Sequence, residues 1–122
     1  MPHCQIDCSP GVALRVGEQR LLDALHDAVD ADGLFAPGDI KLRLNAHAHY
    51  RCGEGREEFV HVTLYLLSGR DEQQRRALAS ACVGVLVALL PDVAALSVDV
   101  QEMRRETFVN RRQYLEQQRA PA

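Results

Sequence analysis

Phe59-Val60-His61-Val62-Thr63-Leu64-Tyr65-Leu66-Leu67, followed by Ser68-Gly69-Arg70, is the stretch on which the fold turns. A run rich in β-branched and aromatic residues, closed by a Ser-Gly break, predicts a strand over about Glu58 to Leu67. Val60, Val62, Leu64 and Leu66 fall on one face and Phe59, His61, Thr63, Tyr65 and Leu67 on the other, because successive side chains of a strand alternate. The pattern then changes. Asp71 to about Leu90 reads as a helix stopped by Pro91, and Ala95 to Met103 returns to strand. Strand, helix and strand in succession make a βαβ unit, whose two strands run parallel.

The same plan precedes it. Residues 3–8, around Ile6, predict a short strand ended by Ser9-Pro10-Gly11. A helix is predicted from about Val16 to Ala31, with Leu21, Leu22, Leu25, Ala28 and Val29 on one stripe and Asp32-Gly33 closing it. Pro37-Gly38 turns the chain into a second strand, about Asp39 to His47, with Ile40, Leu42 and Leu44 on one face. Cys52-Gly53-Glu54-Gly55 reads as a loop. Glu18-Gln19 and Glu72-Gln73 open the two helices 54 residues apart, the trace of an internal repeat. The expected fold is α+β: tandem β-α-β units forming a four-stranded mixed sheet with two helices on one face. The domain spans residues 2–105, and residues 106–122 form a polar C-terminal tail. The Ala77–Leu90 half of the second helix is apolar all round, and both sheet faces read as apolar along the third strand. A two-layer monomer leaves such surfaces bare, which predicts a homo-oligomer.

Composition narrows the function. With 122 residues, 47% of them apolar, the chain builds one modest core. A net charge of -3, few aromatics and no Trp give no footprint for nucleic acid or anionic lipid. The apolar run Ala77–Leu90 is too short to span a bilayer. No basic-then-apolar leader opens the chain, so the expected location is cytoplasmic. The four cysteines (Cys4, Cys8, Cys52, Cys82) lack CxxC spacing and read as reduced thiols, with Cys82 filling the core.

The chemistry points to the start, Met1-Pro2-His3. A small residue after the initiator favours removal of Met1, which leaves Pro2 with a free secondary amine. An α-amine titrates near ~8, and burial and nearby cations push it lower, toward the working pH that suits a proton-transfer base. The topology then gathers cations round it. Parallel strands one and two place Lys41 near Pro2, with Arg43 two residues further on the same face. If a pseudo-twofold relates the units, strands one and three are central and antiparallel, and the end of strand three brings Arg70. Such a site takes a small anionic substrate and stabilises an enolate. His3, beside Pro2, is a candidate to line the pocket. His47 and His49 fall on one strand face, but three or four convergent ligands are needed for a metal, so no metal site is expected. Cys4 has no partner base, and Tyr65 reads as core or interface.

These residues together resemble the 5-carboxymethyl-2-hydroxymuconate isomerases of the tautomerase superfamily. The resemblance rests on Met1-Pro2-His3, on Phe59 to Leu64 with Ser68-Gly69-Arg70, on Gly33-Leu34-Phe35, on Ile40-Lys41-Leu42-Arg43 and on Ala95-Leu96-Ser97, and covers roughly residues 1–105. It implies a homotrimer with the sheets lining the inside, an amino-terminal proline (Pro2) as general base and acid, and no cofactor. It further implies Arg43 and Arg70 as carboxylate binders and an unsaturated 2-hydroxy/2-oxo polycarboxylate substrate from aromatic-ring catabolism, such as homoprotocatechuate breakdown. Three departures stand out. Lys41 occupies a position where the family carries Arg, keeping the charge but losing the bidentate fork. The loop around Cys52-Gly53 is shorter, and the tail beyond Met103, which in such trimers contacts a neighbour, matches poorly. A promiscuous tautomerase of phenylpyruvate-like enols and a non-catalytic, acid-binding trimer stay open as alternatives.

Overall fold

The structure, a computed structural model, describes residues 1–119. Four strands form one sheet: β1 (His3–Cys8), β2 (Lys41–Ala46), β3 (Phe59–Leu67) and β4 (Ala95–Met103), in the order β2-β1-β3-β4. β1 runs parallel to β2, with His3 opposite Lys41. β1 runs antiparallel to β3, with Cys4 opposite Leu64. β3 runs parallel to β4, with Phe59 opposite Ala95. This is the expected tandem arrangement, with β1 and β3 central.

Two helices, α2 (Glu18–Ala31) and α3 (Glu72–Leu89), cover one face. Beneath them lie Cys4, Ile6 and Cys8 of β1 and Val60, Val62, Leu64 and Leu66 of β3, all essentially solvent-free. Leu21, Leu25 and Val29 of α2 and Leu78, Cys82 and Leu86 of α3 close the same core. Each such aliphatic side chain contributes about 1.5–3 kcal/mol on burial. The core therefore anchors β1, and with it the chain's N-terminus, at the centre of the sheet.

Several expectations need correction. Ser9-Pro10-Gly11 does end β1, yet it opens an additional helix, α1 (Pro10–Val16), where Pro10 sits at a position whose N–H would lack an intrahelical partner anyway. Val16 therefore ends one helix rather than starting the next. Gly17, at φ 90°, makes the break that a side-chain-bearing residue would resist. β2 is shorter than predicted, because Pro37–Asp39 winds into a 3₁₀ turn and His47 leaves the strand. The polar tail adds α4 (Arg111–Arg119), which follows a reciprocal cap in which Gln113 N donates to Asn110 Oδ1 (2.9 Å) and Asn110 N donates to Gln113 Oε1 (3.0 Å). The sheet face away from the helices is not apolar throughout. Phe59, Tyr65 and Leu67 share it with Gln5, Asp7, Arg43 and Asp99, because the neighbouring strands place polar residues on that face. On α3, Ala77, Ala81, Val87 and Ala88 remain exposed. Among the described residues, no helix is long and apolar enough to cross a membrane.

Candidate active site

The site is built where β1 enters the sheet between β2 and β3. Parallel pairing makes Lys41 N donate to the carbonyl of Pro2 (3.1 Å), and Pro2 is buried. The 3₁₀ turn before β2 presents the Asp39 carbonyl, which accepts from both the Met1 amine (3.0 Å) and Lys41 Nζ (2.9 Å). Two cationic nitrogens thus converge on one oxygen. Burial, then Lys41, push the amine below its ordinary value of 8.0; Asp39 opposes this and Arg70 adds to the lowering.

Arg70 arrives because β3 ends next to the start of β1. Gly69, at φ 128°, turns the chain there. The guanidinium lies over the Phe35 ring, 5.0 Å from its centre, and Nη2 donates to the Leu34 carbonyl (3.1 Å). The segment after α2 therefore holds Arg70 at the N-terminal end of the sheet.

Arg43 stands one step along β2 from Lys41, on the open face. Its Nη1 lies 3.4 Å from His3 Nδ1 and its Nη2 donates to Gln5 Oε1 at 3.4 Å. His3, Gln5, Arg43, Tyr65 and Met103 line an open cleft of about 330 Å³. Burial, then Arg43, Lys41 and the N-terminus, push the His3 imidazole below its ordinary 6.5.

The structure thus places Pro2, Lys41 and Arg70 at one end of the sheet and sets Arg43 with His3 just beyond Lys41 on the open face. Gln5, Tyr65 and Met103 are not among the residues the sequence nominates for the cleft, and it reads Tyr65 as core or interface. The signal for Tyr65 was the antiparallel register, which sets it opposite His3. The neighbourhood combines a depressed amine with three cations beside an open cleft. It suits binding of an anion and transfer of one proton.

The competing residues lie elsewhere. β2 ends at Ala46, so His47 and His49 do not share a strand face; His47 Nε2 lies 2.7 Å from Asp7 Oδ1. His61 Nδ1 lies 2.7 Å from Ser97 Oγ. Among the described residues, no group of three or more metal-ligating side chains converges. The four cysteines are free thiols, and burial pushes Cys4 up to about 12 and Cys8 and Cys82 up to about 11, too high for nucleophilic use. A second hollow, about 410 Å³, opens at the far end of the sheet between the Tyr50–Gly53 loop and the start of β4, away from the N-terminus.

This architecture is that of the tautomerase superfamily, and the protein is an isomerase. The family model for 5-carboxymethyl-2-hydroxymuconate isomerase matches residues 2–115, and the chain belongs to that family. Among solved structures, it is similar to a 5-carboxymethyl-2-hydroxymuconate isomerase from Deinococcus radiodurans R1, with 21% identity over 90% of this chain and 88% of that one and a TM-score of 0.79. A 5-carboxymethyl-2-hydroxymuconate delta-isomerase is 17% identical over 100% of this chain and 96% of its own, with a TM-score of 0.73. A fused 4-OT symmetric trimer is 18% identical over 89% and 93%, with a TM-score of 0.74. No curated protein matches the sequence.

Proposed function

We propose that the protein, once Met1 is removed, is a cytoplasmic, homotrimeric isomerase working without a cofactor in the breakdown of aromatic rings. Its substrate is an unsaturated 2-hydroxy/2-oxo polycarboxylate such as 5-carboxymethyl-2-hydroxymuconate. The observation that carries this reading is the N-terminus itself, seated between Lys41 and Arg70 with an amine pushed toward its neutral form. Removal of Met1 puts the secondary amine of Pro2 in that neighbourhood.

The chemistry follows from these charges. The neutral Pro2 nitrogen takes the proton of the substrate's 2-hydroxyl, and the electron pair delocalises into a dienolate. Lys41, Arg43 and Arg70 bind the carboxylates and offset the developing charge. The Pro2 ammonium then delivers the same proton to a distant carbon, leaving the conjugated 2-oxo isomer. One nitrogen is base and then acid because a single proton moves.

A trimer fits the exposed surfaces: the open sheet face and the outer side of α3 are uncovered in one subunit. Two fused 4-OT proteins of similar fold are trimers, one symmetric and one asymmetric. We assign residues 2–105 to the catalytic domain and 106–122 to contact with a neighbouring subunit, a role suited to Val109 and Tyr114, which are exposed.

The test is ultraviolet absorbance during incubation of Met-processed protein with 5-carboxymethyl-2-hydroxymuconate, alongside a monocarboxylate enol. Fast conversion of the polyacid alone supports the reading. Conversion of the monoacid alone points to a phenylpyruvate-type tautomerase, and conversion of neither to an acid-binding trimer.

A further inference from the structure

We propose that His3 serves this reaction as an uncharged hydrogen-bond donor to the substrate's enol or enolate oxygen, its proton held on Nε2 by Arg43, which Gln5 positions. This rests on the isomerase reading above and assigns it a second working group.

The proton assignment follows from the inventory of donors. A guanidinium donates through every nitrogen and accepts through none. Arg43 Nη1 lies 3.4 Å from His3 Nδ1, so Nδ1 must present its lone pair and the ring proton must sit on Nε2. The same reasoning makes the Gln5 atom facing Arg43 Nη2 at 3.4 Å its carbonyl oxygen. Gln5 pairs with Arg43 in the sheet register and follows His3 by two residues on the same face of β1. One guanidinium is therefore steadied at both ends by a single strand.

Burial, then the groups around His3, disfavour the charged ring. Arg43 and Lys41 face it from β2 and the N-terminus lies beside it, all cationic; Tyr65 stands opposite on β3. A second positive charge is disfavoured there. Nε2 has no protein partner among the described residues, and the ring lines the cleft with Tyr65 and Met103. A neutral imidazole donor can strengthen its hydrogen bond as charge builds on an enolate oxygen without giving up its proton. His3 transfers nothing, and the proton that moves stays with Pro2.

The first experiment is nitrogen NMR of the imidazole in the full-length, Met-processed protein. The expected result is a neutral ring protonated at Nε2 at pH 7.5, where the lowered imidazole carries no charge. A ring protonated at Nδ1, or charged near neutrality, overturns the proposal whatever the enzyme's activity. The kinetic arm uses three variants and the ultraviolet assay. His3→Leu should lower kcat by about 10- to 100-fold, somewhat less than loss of a buried oxyanion donor, with KM moved far less. His3→Gln, whose amide nitrogen falls near Nε2, should recover most of that loss. Gln5→Leu should relax the tautomer preference in the NMR spectrum and lower kcat in proportion. Unchanged kcat in His3→Leu, or no recovery in His3→Gln, refutes the donor role. If the unmodified enzyme turns over none of the enols, the donor role falls together with the isomerase reading, while the NMR result still reports the tautomer.

Discussion

The two βαβ units share one plan and divide the labour. Their helices start at Glu18 and Glu72 and their outer strands at Lys41 and Ala95, each pair 54 residues apart. Yet β1 and β2 have 6 residues each, while β3 and β4 have 9. The second unit contributes the longer strands and the more apolar helix. The first carries the N-terminus, Lys41 and Arg43. At the position equivalent to Arg43, β4 has Ser97, and at that of Lys41 it has Ala95. A repeat that builds a symmetric frame thus gains a one-sided site, since only one unit can begin with a free amine. The remaining cation, Arg70, comes from the end of β3, where the pseudo-symmetry folds the second unit back onto the first.

The sharpest way to break this comparison is to silence the first unit's amine while leaving both cores intact. Retaining Met1, by inhibiting its enzymatic removal during expression so that Pro2 stays an amide, should lower turnover by about 10²–10⁴-fold without moving the urea midpoint. In the processed enzyme, kcat/KM should fall as pH drops, because protonation removes the base. That fall should lie below pH 8, since the burial and the Lys41 charge that depress the Met1 amine would act on the Pro2 amine once Met1 is removed. An inflection at or above 8 would contradict the depressed amine.

Core truncations should rank the units by stability. Leu64 on β3 is fully buried and Leu44 on β2 only half-buried. Leu64→Ala should cost about 3 kcal/mol and Leu44→Ala about 1 kcal/mol in urea unfolding. Equal costs would mean that the first unit is as firmly held as the second.

The equivalent pair tests the chemistry. Arg43→Leu should raise KM about tenfold or more for a polycarboxylate, the worth of a charge-assisted contact. Ser97→Ala should leave KM within about twofold, as expected of a residue outside the cleft. Similar effects in both would erase the asymmetry.

The smallest effects concern how each helix starts. α3 has a full capping box, with Asp71 Oδ1 accepting from Gln74 N (2.7 Å) and Gln74 Oε1 accepting from Asp71 N (3.1 Å). α2 begins at Gly17 with no side-chain cap. Asp71→Ala should cost about 1 kcal/mol through the lost cap. Gly17→Ala should cost about the same through its positive φ, since the nearest atom to an added Cβ lies 4.0 Å away and space is not limiting. Calorimetry of the two variants measures both costs: an unchanged Asp71→Ala would refute the cap, and a stabilised Gly17→Ala would refute the strain.

Much of this was legible along the chain. Period-two alternation in residues 59–67, the Pro91 stop after the second helix and the repeat offset sufficed for the sheet order and the parallel pairings, because those features are local or follow from handed connections. Pro2, Lys41, Arg43 and Arg70 could be gathered at one sheet end from topology alone. Less visible were α1, because Ser-Pro-Gly signals a break and a helix start alike, and the cap that winds α4. The cleft wall from Tyr65 and Met103 depended on cross-strand register, which no single segment encodes.

By itself, then, the sequence determined the strand and helix pattern, the candidate base and the sign of the charge around it, since these depend on residue type and short-range spacing. Only the tertiary structure decided that Lys41 and the N-terminus share the Asp39 carbonyl, that Arg70 is held on Phe35, and that Arg43 faces His3 and Gln5. Those are contacts between residues some forty positions apart, created when burial of the common core sets the register of the strands.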